Sequence, residues 1–277
     1  MIDLSQLSPM MQHYMETKKE YPDCVLFYRL GDFYEMFFDD ALTVSKELEI
    51  TLTGKDCGLS ERAPMCGVPF HALDSYLYRL VQKGYKVAIA EQMEDPRQAK
   101  GLVKREVIRV VTPGTITSSQ VLDETKNNYL MGIVYMDGIY GISTADISTG
   151  DFMVTEVDSD RELFDEINKF SPSEIICNNA FYMSGVDMDE LKNRYQVVIS
   201  ALDSRFFGEE SCRRILMEHF KVGALVGLGL EDYATGIIAA GAVMQYIYET
   251  QKSTLEHITT ITPYSTGQYM VIDTSTR

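Results

Sequence analysis

Three strand-like runs lie close together in the middle of the sequence, and they restrict the fold more than any other feature. The runs are YLMGIVYM (129–136), IYGISTADIS (139–148) and DFMVTEV (151–157). Asp137-Gly138 and Thr149-Gly150 separate them. Such dipeptides suit tight hairpin turns, because glycine adopts positive φ at little cost. The sequence therefore predicts a three-stranded antiparallel meander.

Helical and strand patterns alternate after this meander. The predicted helices cover 160–170, 187–193, 209–221 and 231–251, and the predicted strands cover 173–178 and 195–202. A meander followed by alternating helices and strands predicts a mixed α/β sheet flanked by helices, an order seen in ribonuclease H-like folds.

A turn-rich segment separates this part of the chain from the N-terminal part. Pro113-Gly114 is a turn dipeptide, and the polar stretch TITSSQ follows it. We therefore predict a first domain over 1–115, a linker over 116–127 and a second domain over 128–250. The tail 251–277 begins another element and stops, so the chain is expected to be truncated.

The first domain mixes helices and strands and is predicted to be α+β. Ser8-Pro9 is typical of a helix start. The predicted strands cover 24–29, 85–92 and 105–113, and the predicted helices cover 40–50 and 71–84. Between them, Pro64, Gly67 and Pro69 predict a rigid loop that runs into the second of these helices.

Phe33 and Glu35 stand two residues apart in RLGDFYEMFF (29–38). On a strand, residues two apart share a face, whereas on a helix they lie about 200° apart. The preceding strand and Gly31 favour the extended form, with Arg29 in register with the pair and Tyr34 on the other face. The alternative is that Phe33 belongs to the core and Glu35 pairs with a lysine at the surface.

Two further features are compatible with binding to a partner. The segment 61–77 would present Met65, Phe70 and His71 from its rigid loop, and the following helix N-terminus suits a phosphate. The basic residues of 97–109, Arg105 among them, suit phosphate contacts. The alternatives are a structural loop and a solvated charged face.

Composition excludes several classes of protein. The net charge of −16 argues against a nucleic-acid binder. However, residues 1–116 hold 14 basic and 17 acidic residues, a net of −3, so the acidity lies mostly in the second part. Five scattered cysteines and four isolated histidines indicate reduced cytosolic thiols and no metal site. No signal peptide, membrane anchor or Walker A loop is visible, because Gly54-Lys55 lacks the flanking Gly and Ser/Thr.

Four segments, in order, closely resemble the start of the MutS family of bacterial DNA mismatch repair proteins. They are FYRLGDFYEMFFDDA (27–41), APMCGVPFHALDSYL (63–77), VAIAEQMEDP (87–96) and VIRVVTPGT (107–115). The resemblance runs through YMVIDTSTR (269–277). It implies a mismatch-binding α+β domain, a ribonuclease H-like connector domain without nuclease activity, and the start of a truncated core or lever domain.

The family's Phe-x-Glu motif falls on Phe33 and Glu35. The resemblance implies that Phe33 enters the minor groove and stacks on a mispaired base, while Glu35 hydrogen-bonds that base. Other positions that match DNA contacts of the family are Leu30, Lys55, Met65, Phe70 and His71. To this set we add Arg29, from its register, and Arg105, from the basic run. Lys55 stands where many relatives have arginine.

The resemblance implies partners beyond this chain. These are double-stranded DNA with mismatches or small loops, a second copy in a homodimer, and a downstream repair protein at the connector. ATP and Mg²⁺ are expected in the parent protein, a DNA-dependent ATPase of the cytoplasm and nucleoid, and no cofactor is expected in this chain. The competing interpretation is a metal-dependent nuclease that uses the second domain, but Asp146 and Asp151 are expected to face solvent. A third interpretation is a paralogue that uses the same scaffold for recombination intermediates or protein contacts. Such relatives lack the Phe-x-Glu pair, so Phe33 and Glu35 argue against it.

Overall fold

The structure is a computed structural model that describes residues 4–94, 101, 103–117 and 126–266. It divides into two compact units, Met1–Thr112 and Pro113–Arg277. Most of the predicted linker (118–125), part of the basic run (97–100 and 102) and the end of the predicted tail (267–277) lie outside the described residues.

The first unit is an α+β domain built on a mixed six-stranded sheet, as the sequence predicts. Its strands are β1 (Cys24–Leu30), β2 (Phe33–Phe37), β3 (Thr53–Lys55), β4 (Ala63–Pro69), β5 (Lys86–Gln92) and β6 (Arg105–Val111). Its helices are α1 (Pro9–Glu20), α2 (Phe38–Leu48) and α3 (Leu73–Gln82), with short 3-10 turns at Leu4–Gln6 and Phe70–Ala72. The strand order is β3-β4-β2-β1-β5-β6, in which β1 pairs antiparallel with β2 and parallel with β5.

Helices cover the two faces of this sheet unequally. Helix α1 packs Met11 and Tyr14 against Tyr28 and Phe37, while α2 contacts β2 and β4 and α3 contacts β5 on the opposite face. The buried carboxylate of Asp40 holds these layers together. It accepts hydrogen bonds from the Tyr14 hydroxyl (3.1 Å), Lys18 Nζ (2.9 Å) and the Leu26 amide (2.9 Å). A buried carboxylate with three donors is well compensated for its lost hydration.

The prediction of a rigid loop around Pro64 and Pro69 is wrong, because these residues lie in strand β4. Proline lacks the amide that a central strand donates. Here Pro64 pairs only with Gly54 of β3, beyond the end of β2, and Pro69 pairs only with Phe33 of β2, beyond the end of β3. Each proline therefore has a neighbouring strand on one side only, which leaves the sheet intact.

The second unit is a mixed sheet flanked by helices, also as predicted. Its strands are β7 (Tyr129–Met136), β8 (Ile139–Asp146), β9 (Asp151–Val157), β10 (Glu174–Cys177), β11 (Val198–Ala201) and β12 (Thr262–Pro263). Its helices are α4 (Asp160–Phe170), α5 (Asn179–Tyr182), α6 (Met188–Tyr195), α7 (Glu209–Phe220) and α8 (Ala234–Gln251), with 3-10 turns at Pro113–Thr115, Ser204–Phe207 and Leu225–Leu228. Strands β7, β8 and β9 form the predicted antiparallel meander, and β10 and β11 extend it in parallel in the order β11-β10-β7-β8-β9-β12.

Helix α8 forms the core on one face of this sheet. It is apolar on all sides and almost wholly buried, as expected of a central helix. A Cβ atom at Gly132 would lie 2.5 Å from Val243 of this helix, so glycine lets strand and helix approach closely. Within the described residues, no helix combines the length and the apolar character needed to cross a membrane.

Candidate nucleic-acid interface

The tight hairpin between β1 and β2 fixes which side chains share a face with Phe33. Gly31 adopts φ +57°, a left-handed value that suits a two-residue turn, and Leu30 pairs with Phe33 across it. Partners in an antiparallel pair point to the same face. Leu30 therefore accompanies Phe33, and Arg29 pairs with Tyr34 on the opposite face. The predicted register of Arg29 with Phe33 and Glu35 is wrong, because the chain reverses at Gly31.

Phe33 and Glu35 lie on one face of β2, as the extended form requires. Phe33 is 47% exposed, whereas Tyr34 and Met36 are buried on the other face. Phe37 shares the face of Phe33 but is buried, with its ring 4.9 Å from that of Tyr14. Helix α1 thus covers the Phe37 end of this face and leaves the Phe33 end open.

Glu35 forms an ion pair with Lys55, two strands away. Lys55 Nζ lies 2.5 Å from Glu35 Oε2, and the exposed side-chain fractions are 33% for Lys55 and 16% for Glu35. Gly67 of β4 pairs with Glu35 and lies between the two strands. Because Gly67 has no side chain, the space beside Phe33 and Glu35 stays open. A Cβ atom there would lie 3.5 Å from Glu35 Cγ and 3.8 Å from Phe33 Cδ1.

Phe70 and His71 lie beside the same hairpin, where β4 ends. Phe70 is 43% exposed, its amide donates to the Asp32 carbonyl (2.9 Å), and its ring centroid lies 4.2 Å from Arg29 Cζ. His71 is exposed next to it, with the two ring centroids 5.9 Å apart. The hairpin end therefore presents Phe33 on one face and Phe70, in contact with Arg29, on the other.

Arg29 is held in place by groups of its own domain. Its Nε donates to the Gly31 carbonyl (2.5 Å), and its guanidinium pairs with Glu91 (3.4 Å) and lies over the ring of Tyr34. The Tyr34 hydroxyl also donates to Glu91, and burial together with that carboxylate raises the pKa of Tyr34 well above its ordinary value. These contacts stabilise the hairpin turn from the face opposite Phe33.

Arg105 lies apart from the exposed residues of the hairpin. It is only 6% exposed, and it donates to the Arg29 carbonyl (2.7 Å) and the Val103 carbonyl (2.7 Å). Its guanidinium also lies 5.0 Å from the ring of Tyr28. Through these contacts, Arg105 links strand β6 to strand β1.

The remaining predicted contacts lie on the face of Phe33. Leu30 and Met65 are half-buried and pack against the edge of the α1 core. Phe33, Glu35, Leu30, Lys55 and Met65 are called the hairpin face below. Sequence reasoning missed Gly67 as part of this site, although its spacing of two from Met65 and Pro69 fits one face of a strand.

The acidic residues of the second unit give the nuclease interpretation no metal site in the described part of the chain. No group of three or more His, Cys, Asp or Glu residues there is placed to hold an ion. The expected solvent exposure of Asp146 is wrong, since it is 1% exposed. Its carboxylate accepts from the Asn128 amide (3.0 Å), the Ser148 amide (2.8 Å) and the Ser148 hydroxyl (2.6 Å). It stabilises the turn after β8.

Comparisons with known proteins cover both units. The family model described as MutS domain I matches residues 8–120, and the one described as MutS domain II matches 128–259. The chain is 61% identical over 274 residues to the DNA mismatch repair protein MutS of Lachnoclostridium phytofermentans, covering 99% of this chain and 29% of the relative. It is 52% identical over 277 residues to that of Acetivibrio thermocellus, covering 99% and 32%. The chain thus spans about a third of the length of these curated relatives.

Proposed function

The chain belongs to the MutS family, and from this premise we propose that its first unit recognises mispaired or unpaired bases in duplex DNA to initiate mismatch repair. The exposure of the Phe33 side chain is the main support for this proposal. Phe33 is an aromatic side chain 47% exposed at a hairpin end, on a strand whose other apolar residues are buried. An exposed aromatic held by a rigid sheet is suited to contact a partner surface.

The proposed role of Phe33 is that of a wedge in the minor groove. Inserting an aromatic side chain between base pairs unstacks a step and kinks the duplex, at a cost of about a few kcal/mol. A mispaired step is already weakly stacked and flexible, so the cost is lower there. Discrimination by Phe33 then depends on how easily the DNA deforms rather than on its sequence.

Glu35 is proposed to hydrogen-bond the displaced base. In a matched duplex the DNA offers no donor to the carboxylate oxygen that Lys55 leaves unpaired. A desolvated acceptor without a partner costs about 1–3 kcal/mol, with more for a charged group. At a mismatch, a base that has lost its Watson–Crick partner can supply that donor. If Glu35→Ala left the ratio of mismatched to matched affinity unchanged, this role would be refuted.

The proposed DNA contacts are the hairpin face together with Phe70 and His71. Lys55 provides positive charge for the phosphate backbone, although a lysine cannot form the bidentate fork of an arginine. We assign Arg29 and Arg105 a supporting role instead, because the Arg29 side chain is 18% exposed and Arg105 is 6% exposed, against 33% for the Lys55 side chain.

The activities of the whole protein are proposals that reach beyond this chain. We propose a homodimer in the cytoplasm, at the nucleoid, that hydrolyses ATP with Mg²⁺ and recruits a downstream repair protein through the second unit. Gly54-Lys55 lacks the other residues of a phosphate-binding loop, and the described residues offer no metal cluster. Because the chain spans about a third of the length of its curated relatives, we propose that ATP and Mg²⁺ bind in other parts of the full-length protein.

A binding comparison tests the proposal. The affinities of the full-length protein for a duplex with one G·T pair and for the matched duplex are measured at one fixed salt concentration, for wild type and Phe33→Ala. We expect tighter binding to the G·T duplex in the wild type and loss of this preference in Phe33→Ala. Equal wild-type affinities for the two duplexes would refute the proposed function.

A further inference from the structure

The ion pair between Lys55 and Glu35 joins a residue proposed for the phosphate backbone to one proposed for the base. Lys55 Nζ contacts Oε2 of the carboxylate at 2.5 Å. Among the described residues, Oε1 of Glu35 has no hydrogen-bond partner. The Glu35 side chain is the more buried member of the pair, at 16% exposed against 33% for Lys55. One oxygen is thus held by Lys55, and the other has no partner among the described residues.

The sheet geometry explains why this contact forms. Lys55 pairs with Ala63 of β4, and Glu35 pairs with Gly67 of the same strand, so both side chains rise from one face. The missing side chain at Gly67 leaves room for them to meet. Lys55 Nζ also lies 5.7 Å from the ring centroid of buried Phe37. The ammonium group therefore lies over a fixed part of the core.

We propose that Lys55 is a positioning residue for mismatch recognition that acts through Glu35. It holds Oε2 so that Oε1 points to the base, and it offsets the charge of Glu35 near the phosphates. Because the pair is neutral as a unit, long-range repulsion from DNA is weak. The discriminating contact is then the hydrogen bond to Oε1, which a displaced base can complete and a matched pair cannot. This inference rests on the proposed function.

The alternative is that Lys55 only attracts phosphates. A phosphate contact carries no information about base pairing, so its loss weakens binding to all duplexes alike. A positioning role instead makes the effect of Lys55 on mismatch preference depend on Glu35. A double-mutant cycle separates the two, because it isolates the interaction between the two residues.

The experiment uses the full-length protein with G·T and matched duplexes at fixed salt, and the readout is the ratio of matched to mismatched Kd. The variants are Lys55→Met, Lys55→Arg, Glu35→Gln and the double variant Lys55→Met/Glu35→Gln. We expect Lys55→Met to lower the ratio by about fivefold, the upper range for a partly exposed ion pair. Lys55→Arg keeps the charge and is expected to hold the ratio within about twofold of wild type. In the Glu35→Gln background, Lys55→Met is expected to leave the ratio unchanged.

Lys46→Met is the matched control. Lys46 is exposed on α2, which covers the opposite face of the sheet, so this variant removes the same charge without touching Glu35. Its ratio should equal that of wild type. An unchanged ratio in Lys55→Met, or an equal loss with and without Glu35, would overturn the inference. A wild type without mismatch preference would instead overturn the proposed function itself, so the two failures are distinguishable.

Discussion

Phe33 and Phe37 provide a direct test of whether an aromatic side chain at the hairpin face is held outside the core. Both lie on β2 and on the same face, but Phe33 is 47% exposed and Phe37 is 1% exposed. Full burial of a phenylalanine contributes about 1.5–3 kcal/mol, so the half-buried Phe33 contributes about 1 kcal/mol. Phe37→Ala, in contrast, removes a ring packed against Tyr14 and should cost about 3–5 kcal/mol through cavity formation.

The measurement must resolve the first unit on its own. The chain has two compact units and no tryptophan, so one spectroscopic transition would mix their unfolding. Native-state hydrogen exchange read on peptides from β1, β2 and β5 reports the opening free energy of this sheet. We expect Phe33→Ala to lower it by about 1 kcal/mol or less and Phe37→Ala by at least about 3 kcal/mol. Equal losses in the two variants would show that Phe33 is an ordinary core residue and would refute the reasoning.

Three further outcomes follow from the same contacts. Gly67→Ala should reduce mismatch preference, because its Cβ would lie 3.5 Å from Glu35 Cγ and 3.8 Å from Phe33 Cδ1 and would fill the space beside them; an unchanged ratio of affinities for the two duplexes would contradict this. Asp146→Asn should lower the opening free energy of the second unit by about 1–3 kcal/mol, in hydrogen exchange read on peptides from β7 and β8; Mg²⁺-dependent DNA cleavage that this variant abolishes would favour the nuclease instead. Burial raises the pKa of the Cys66 thiol to about 12, so a thiol reagent at pH 8 should label it only after unfolding; rapid labelling of the native chain would contradict that burial.

Local patterns in the sequence were sufficient for most elements of the fold. The helix predicted at 160–170 is α4, and the meander predicted from two glycine-containing turns forms β7, β8 and β9. These features depend on residues close in sequence, such as Asp137 and Gly138, which both adopt positive φ at the first turn. Turn chemistry and hydrophobic periodicity act over this range, so they can be read from the sequence.

Strand β4 could not be predicted in the same way. Its two prolines and one glycine indicate a loop when only local preferences are considered. The strand can contain both prolines because of the pairing pattern, since Pro64 and Pro69 each lie where a neighbouring strand has already ended. That pattern is set by strand lengths elsewhere in the sheet, and no local rule contains it.

The candidate site was predictable within β2 and not across strands. Period-two alternation correctly placed Phe33 and Glu35 on one face. It failed at Gly31, because the hairpin reverses the chain there, so that Leu30 rather than Arg29 shares the face of Phe33. The contact of Glu35 with Lys55 spans 20 residues and crosses β4. It depends on sheet order, which the sequence of one strand does not specify.

Phe33 is exposed and Phe37 is buried because α1 covers only part of the sheet face that they share. Periodicity assigns both residues to one face, and it cannot say how far along that face a helix extends. Tyr14 of α1 reaches Phe37, and the next position on this face is already occupied by the charged pair of Glu35 and Lys55. A charged pair is costly to cover with an apolar helix, because its desolvation must be compensated. The ion pair therefore marks the edge of the core, and beyond that edge the sheet leaves Phe33 accessible to DNA in the proposed function.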